Sequence, residues 1–433
     1  MQLKNVVLVD GVRSAFGRGG RGKLVATRLD EVGAKILRAL LDRHPQVTDT
    51  MIEDIGTGNV GGARSEFGFL GNVQRIAGLP MEVCSFHSNR QCGSSMETLH
   101  RITLSIMTGQ IECGIAMGIE RMGRGLGGGG GAPTRITQMT GKIAELNEVQ
   151  RAPAFDHDEY FSVEFPEYIR KSPWLQPMTQ TAQNVAECYG LTREELDAFS
   201  AKSHAKGHAA YEAGIYKDEV IPLEVEEPIF NDKGEWVEDE TGPMVSFERD
   251  ECIRPGSTPE KLKGLNPIKG VISFGDKEVV ITAGNSCPTN DGVTAALLMS
   301  EEKATALGLE PLARIVGMAV GGVKPQVMGL GPIVSSKKAF KLAGIESGQI
   351  DRVEFNEAFA AQVLPSIKEL GIPADRINVN GGSLGIGHPL GATGARLVTT
   401  VAKELRRSGG RFGLATQCIG AGMGISTVLE RLD

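Results

Sequence analysis

Three residues of this 433-residue chain have the types and settings that nucleophilic and acid–base chemistry needs: Cys92, His388 and Cys418. Cys92 lies in Asn89-Arg90-Gln91-Cys92-Gly93-Ser94-Ser95, after a partly apolar segment at 81–86. Behind it Met96, Leu99, Ile102 and Ile106 recur at helical spacing. This pattern predicts a loop-to-helix junction with the thiol at a helix N-terminus, where the macrodipole and free N–H groups favour a thiolate. That setting contributes at most about 2 kcal/mol, or roughly 1.5 pKa units. Starting from about 8.5 it leaves only partial thiolate at neutral pH, so a base is needed as well. A small core cysteine at a tight turn fits this segment equally well.

The candidate base is His388, in Gly385-Ile386-Gly387-His388-Pro389-Leu390-Gly391, where three glycines and a proline shape the backbone. Cys418 sits in Gln417-Cys418-Ile419-Gly420-Ala421-Gly422, just after an apolar strand pattern. A second thiol there can act as an acid or base, and the N–H groups around Gly420 can stabilise an oxyanion. A buried small residue in a turn is the plainer reading of the same segment. Asn356, in Asn356-Glu357-Ala358-Phe359-Ala360, follows the short strand pattern at 353–355. It can orient a water or simply cap a helix.

Positioning these residues requires a scaffold, and an internal repeat supplies it. A helical segment at 29–41 followed by Ile52-Glu53-Asp54-Ile55 is echoed by 335–342 followed by Ile350-Asp351-Arg352-Val353, an offset of 350 − 52 = 298. Ala77-Gly78-Leu79-Pro80 matches Leu370-Gly371-Ile372-Pro373 at 370 − 77 = 293. Cys92-Gly93-Ser94-Ser95 then faces Leu390-Gly391-Ala392-Thr393, again at 390 − 92 = 298. The His388 loop is therefore the repeat-mate of the Cys92 loop, and a two-fold relation can bring both to one centre. Alternating strand and helix patterns predict two similar α/β halves with mostly parallel strands under helices. Residues 1–120 with 246–300 would form the first half and 301–433 the second. Between them 121–245 reads as an inserted loop domain, with the glycine run Gly125–Gly131 near its start, helices at 177–188 and 192–213 (Thr192 as N-cap), and a charged hairpin at 224–240. A long insertion on such a scaffold usually carries the ligand-binding surface.

Composition narrows the classes. The chain is 41% hydrophobic and 23% charged, ordinary globular usage, and 57 glycines suit many strand–loop–helix junctions. A net charge of −7 argues against a general nucleic-acid binder. No apolar run is long enough to span a bilayer, and the N-terminus lacks an export-signal pattern, so the expectation is a cytoplasmic protein without a transmembrane segment. Seven scattered cysteines without metal-ligand spacing predict reduced thiols and no metal site.

Taken in order, the blocks Cys92-Gly93-Ser94, Thr282-Ala283-Gly284-Asn285, Asn290-Asp291-Gly292, Asn356-Glu357-Ala358-Phe359-Ala360, Gly387-His388-Pro389 and Cys418-Ile419-Gly420 resemble the thiolases over essentially the whole chain. The resemblance implies two βαβαβαββ halves in layers, their sheets enclosing buried helices. It implies reversible Claisen condensation of acyl-CoA with acetyl-CoA, or CoA-dependent thiolysis of 3-ketoacyl-CoA. Cys92 would carry the acyl group and His388 would activate it. Cys418 would exchange protons at the α-carbon and the CoA sulfur. Asn356 would hold the water of one oxyanion site, and the N–H groups of Cys92 and Gly420 would form the other. Bottom-up chemistry asks for the same parts: a covalent carrier, a base for a weakly acidic C–H, and donors for two successive oxyanions.

On the CoA and acyl side the resemblance points to Arg254, Met178, Cys287, Ala358 and Phe359. Pro177 replaces a histidine often found before the methionine, Cys287 stands where many members have serine, and Lys261 replaces another polar contact. The glycine run with the segment 139–174 looks like the longer loop of thiolases attached to β-oxidation multienzyme complexes. The partners implied are acyl-CoA and CoA, a homodimer or homotetramer, and a β-oxidation multienzyme partner, with coenzyme A as substrate or product and no other cofactor. Two alternatives share the layout. One is a carrier-protein-dependent ketoacyl synthase, which lacks a cysteine at the place of Cys418 and commonly has histidine at that of Asn356. The other is a catalytically silent acyl-CoA-binding protein.

Overall fold

The computed structural model describes residues 3–61, 69–123, 160–275 and 277–432. The glycine run and most of 139–174 lie outside the described residues. The strands are β1 (Val6–Arg13), β2 (Gly17–Arg18), β3 (Asp54–Gly58), β4 (Cys84–Ser88), β5 (Cys113–Arg121), β6 (Leu223–Phe230), β7 (Trp236–Phe247), β8 (Asn290–Ser300), β9 (Ala313–Gly322), β10 (Ile350–Phe355), β11 (Phe412–Ile419) and β12 (Met423–Glu430). In β1, β5, β8 and β11 every residue is buried, as expected for strands covered on both faces.

Nine strands form one path, β10-β11-β12-β9-β1-β8-β5-β3-β4, and β2 adds a tenth on β8. The duplication is visible in its topology. In the first half β4-β3-β5 run parallel, and β8 and then β1 follow antiparallel. In the second half β10 and β11 are parallel, and β12 and then β9 follow antiparallel. The halves meet where Val7 and Leu8 of β1 pair with Arg314 and Ala313 of β9. The counterpart of β4 has shrunk to one parallel bridge, Val353 to Ile377.

Helices Ser94–Met107 and Thr393–Ser408 pack on the strands of their own halves and on each other, forming the central layer. Its core joins Met96, Leu99, Ile102 and Ile106 to Leu397, Val398, Val401 and Leu405, the face expected from the spacing after Cys92. Helix Leu29–Asp42 covers the outer face of the first half and Gly331–Ala343 that of the second. The result is an α/β fold of two duplicated, layered halves.

The chain between β5 and β8 leans on the second half. Helix Met178–Tyr189 packs on helix Ala360–Leu370, and helix Arg193–Glu212 on the turn Ser383–Ile386 that precedes His388. Thr192 caps the second of these helices in a capping box with Glu195, and β6 and β7 form the charged hairpin. A buried ion network anchors the arrangement. Arg13 of β1 reaches Glu219 (2.8 Å) and Asp250 (2.7 Å), while Thr400 of the central layer donates to Glu219 (2.9 Å). Breaking such a buried pair would leave an uncompensated charge. Among the described residues no helix is long and apolar enough to cross a membrane.

Candidate active site

Cys92 and His388 precede the two helices of the central layer, and those helices meet at their N-terminal ends. A Cβ on Gly394 would lie 2.4 Å from the Met96 nitrogen, and Ala395 N–H donates to Ser95 Oγ (2.9 Å). The symmetry thus brings the two loops to the same end of the molecule. Gly387 has φ +117° and its Cβ would lie 2.7 Å from Asn290, so the approach to His388 demands glycine. Asn290 in turn accepts from His388 N–H (2.9 Å) and donates to Gly17 O (3.0 Å).

A directional hydrogen-bond relay sets the His388 ring. Thr393 Oγ1 donates its only proton to Pro389 O (2.8 Å), so at 2.7 Å it must accept from His388 Nδ1–H. In a neutral ring Nε2 is then bare, and it accepts from Asn356 Nδ2 (3.2 Å). From the other end Arg396, which can only donate, gives Nη2–H to Ser383 Oγ (2.9 Å). Ser383 passes its proton to Asn356 Oδ1 (2.6 Å), and Glu354 pairs with Arg396. Neither the Asn356 amide nor the His388 tautomer can reverse without breaking this chain. Burial, with a smaller push from Arg396, holds His388 down to about 3, so the ring is neutral.

Cys92 directly precedes the N-cap Gly93, with Gln91 before it at φ +47°. Gln417 Nε2 of β11 donates to Cys92 O (2.7 Å), clamping the first-half loop from the second half. The Gly420 and Cys92 N–H groups both reach the Cys92 sulfur and lower its pKa, yet burial outweighs them and pushes the thiol up to about 11. The residue keeps a partly accessible face. This corrects the expectation of partial thiolate from the helix terminus: desolvation of the charged form is the larger effect. Among the described residues no hydrogen bond joins Cys92 to His388, which fits a resting thiol. Alkylation of Cys92 by iodoacetamide is therefore expected to rise about tenfold per pH unit between roughly pH 7 and 9, following thiolate fraction. A rate flat from pH 6 upward would reveal a standing thiolate–imidazolium pair instead.

Cys418 is the penultimate residue of β11 and is buried in one apolar cluster with Ala358 and Phe359, against which Met178 and Cys287 pack. Cys287 N–H donates to Ala358 O (2.9 Å), and Ser286 bridges Phe359, so these two segments are one unit. Met178 Sδ lies 3.6 Å from where a Gly420 Cβ would be. Burial and the neighbouring Cys92 push the Cys418 thiol up, while a hydrogen bond from Gln362 opposes them. Four of the five residues expected on the substrate side thus line up beside Cys418. Arg254 does not: it is exposed, and its backbone N–H donates to His204 Nδ1 (3.2 Å). A cleft of about 670 Å³ opens elsewhere, between the inserted helices and helix Ala360–Leu370, and includes Glu357 but none of Cys92, His388 and Cys418. Ser383, Thr393, Gln362 and Arg396 escaped the reading of the sequence. Thr393, five residues after His388 at the start of the following helix, offered the nearest signal.

Duplicated layered halves with paired thiols and a pinned neutral histidine at their junction define a class of acyl-transferring enzymes. The thiolase N-terminal domain family matches residues 6–302 and the thiolase C-terminal domain family residues 309–431. The chain is 38% identical over 434 residues to the 3-ketoacyl-CoA thiolase of Vibrio parahaemolyticus, covering 99% of each. It is 37% identical over 435 residues to that of Citrobacter koseri, covering 100% of each. The crystal structure of the Bacillus anthracis acetyl-CoA acetyltransferase superposes with a TM-score of 0.81 at 32% identity, covering 100% of both chains. The chain belongs to the thiolase family, and its class of enzyme is acyltransferase.

Proposed function

We propose that this enzyme cleaves 3-ketoacyl-CoA with CoA, and runs the reverse condensation of acyl-CoA with acetyl-CoA, through an acyl-Cys92 intermediate. The observation that carries this reading is the junction itself: two thiols from opposite halves, Cys92 and Cys418, beside a histidine whose Nε2 is held bare. In condensation Cys92 attacks the acyl-CoA carbonyl as its proton passes to His388 Nε2. That transfer is uphill in the resting site, so it accompanies attack rather than preceding it. His388 and a water held by Asn356 stabilise the first oxyanion. The departing CoA sulfur takes the Cys418 proton, leaving Cys418 as thiolate. Cys418 then removes a methyl proton from acetyl-CoA, and the carbanion attacks the acyl-Cys92 carbonyl. The second oxyanion falls to the Cys92 and Gly420 N–H groups. On collapse the Cys92 sulfur leaves and recovers its proton from His388. Thiolysis follows the same steps backwards.

The Vibrio parahaemolyticus and Citrobacter koseri relatives are both named 3-ketoacyl-CoA thiolase, which supports the thiolytic direction. Cys418 together with Asn356 favours this reading over a carrier-protein-dependent synthase. Met178, Cys287, Ala358 and Phe359 line the acyl and pantetheine side, Arg254 meets the nucleotide end of CoA, and 121–245 acts as the CoA-binding loop domain. The same reading takes the protein as a cytoplasmic homodimer or homotetramer with a β-oxidation partner and no cofactor beyond CoA. Thiolysis of acetoacetyl-CoA and of a long-chain 3-ketoacyl-CoA, followed by loss of the enolate absorbance, tests it. Activity with either supports the reading, and their ratio sets the chain length. Inactivity with both, under CoA excess, overturns it.

A further inference from the structure

Gln362 lies in the first turn of helix Ala360–Leu370 and is 1% exposed. Its amide nitrogen is 3.0 Å from Cys418 Sγ and its amide oxygen 3.4 Å from the same sulfur. The nitrogen also lies 3.3 Å from Asn356 O, which fixes the side chain from the far side. Gly329 keeps the space open, since a Cβ there would lie 2.7 Å from Gln362 Cβ. A buried amide costs stability unless its polar atoms are used, and here both ends face one sulfur.

Resting on the role given above to Cys418, we propose that Gln362 is the positioning residue of that acid–base thiol, serving both of its protonation states. When Cys418 is a thiol, S–H donates to Oε1. When it is a thiolate, Nε2–H donates to the sulfur. The proton itself travels only between Cys418 and the substrate carbon or CoA sulfur, while the amide changes which end it offers. Burial raises the Cys418 thiol overall, while the Gln362 hydrogen bond acts downward on it, the sense expected of a donor to the thiolate. The titratable groups acting on Cys418 are Cys92 and Cys287, both themselves held as thiols by burial. The inserted helices present Met178, Ala182, Ala186, Leu196 and Phe199 to this cluster, none of them charged.

The test compares Gln362→Met, Gln362→Glu and Cys418→Ala with the wild-type full chain, measuring kcat and KM for thiolysis across pH. Losing the donor to a thiolate is expected to lower kcat roughly tenfold or more, with KM within about twofold. Because Cys418 enters thiolysis as a thiol, the alkaline pH at which activity falls through its ionisation should move up by about one unit in Gln362→Met, and further in Gln362→Glu, whose carboxylate cannot donate to the thiolate and repels it. A purely structural role would lower activity equally at every pH in both variants. If Gln362→Met does not fold, the near-isosteric Gln362→Glu carries the comparison. Unshifted profiles beside an inactive Cys418→Ala would overturn the inference alone. An active Cys418→Ala would overturn the assignment of Cys418, and the inference with it.

Discussion

Cys92→Ala is expected to lower turnover by more than about 10⁴-fold, the scale seen when the nucleophile of a cooperating site is removed. The loss is that large because no other group stands in for it. Cys418 is buried and Cys287 half-buried, desolvation pushes both up as thiols, and the Gly420 N–H is aimed at the Cys92 sulfur. Acyl-CoA binding should survive, because Met178, Cys287, Ala358 and Phe359 form a cluster to which Cys92 does not belong. Steady-state thiolysis alongside calorimetric titration with acyl-CoA separates the two effects. Intact turnover in Cys92→Ala would place the chemistry elsewhere, and loss of binding with folding preserved would make Cys92 part of the binding surface.

The second large effect is at His388. Replacing it with alanine removes the proton acceptor and, at the same time, the partner of Asn356 Nδ2. General acid–base groups contribute roughly 10² to 10⁴-fold, and His388→Ala should fall at the upper end because two functions go together. The acid side of the wild-type profile carries a sign that can be checked. With His388 held down to about 3, it stays neutral through mildly acidic pH, so activity should show no protonation step near the free-histidine value of about 6.5. A kcat profile falling with a midpoint near pH 6.5, absent from His388→Ala, would mean that the ring charges in the resting site.

How much of this was legible beforehand differs between scaffold and site. The duplication could be read because both halves kept short blocks at nearly constant offset, and because buried strands leave long apolar runs. The reduction of the β4 counterpart to a single bridge at Ile377 could not, since one pair of backbone hydrogen-bonding groups leaves no pattern. Cys92, His388 and Cys418 stood out through their glycine surroundings. The relay that orients them did not: Arg396, Ser383 and Asn356 are far apart in sequence and meet only when helix Thr393–Ser408 packs under the loop before His388. Gln362 carries no signal of its own in the sequence, and only the fold brings Cys418 of β11 against it. The helix dipole at Cys92 was a correct local effect overruled by burial, which is set by the partner half.

Mass spectrometry of the intact protein, after brief mixing with acetyl-CoA and then with longer acyl-CoA, followed by peptide mapping, tests the central claim most directly. The account predicts a single acyl group on Cys92 that free CoA removes. The absence of an adduct with every acyl-CoA tried, or a stable one on Cys287 or Cys418 with Cys92 unmodified, would contradict it.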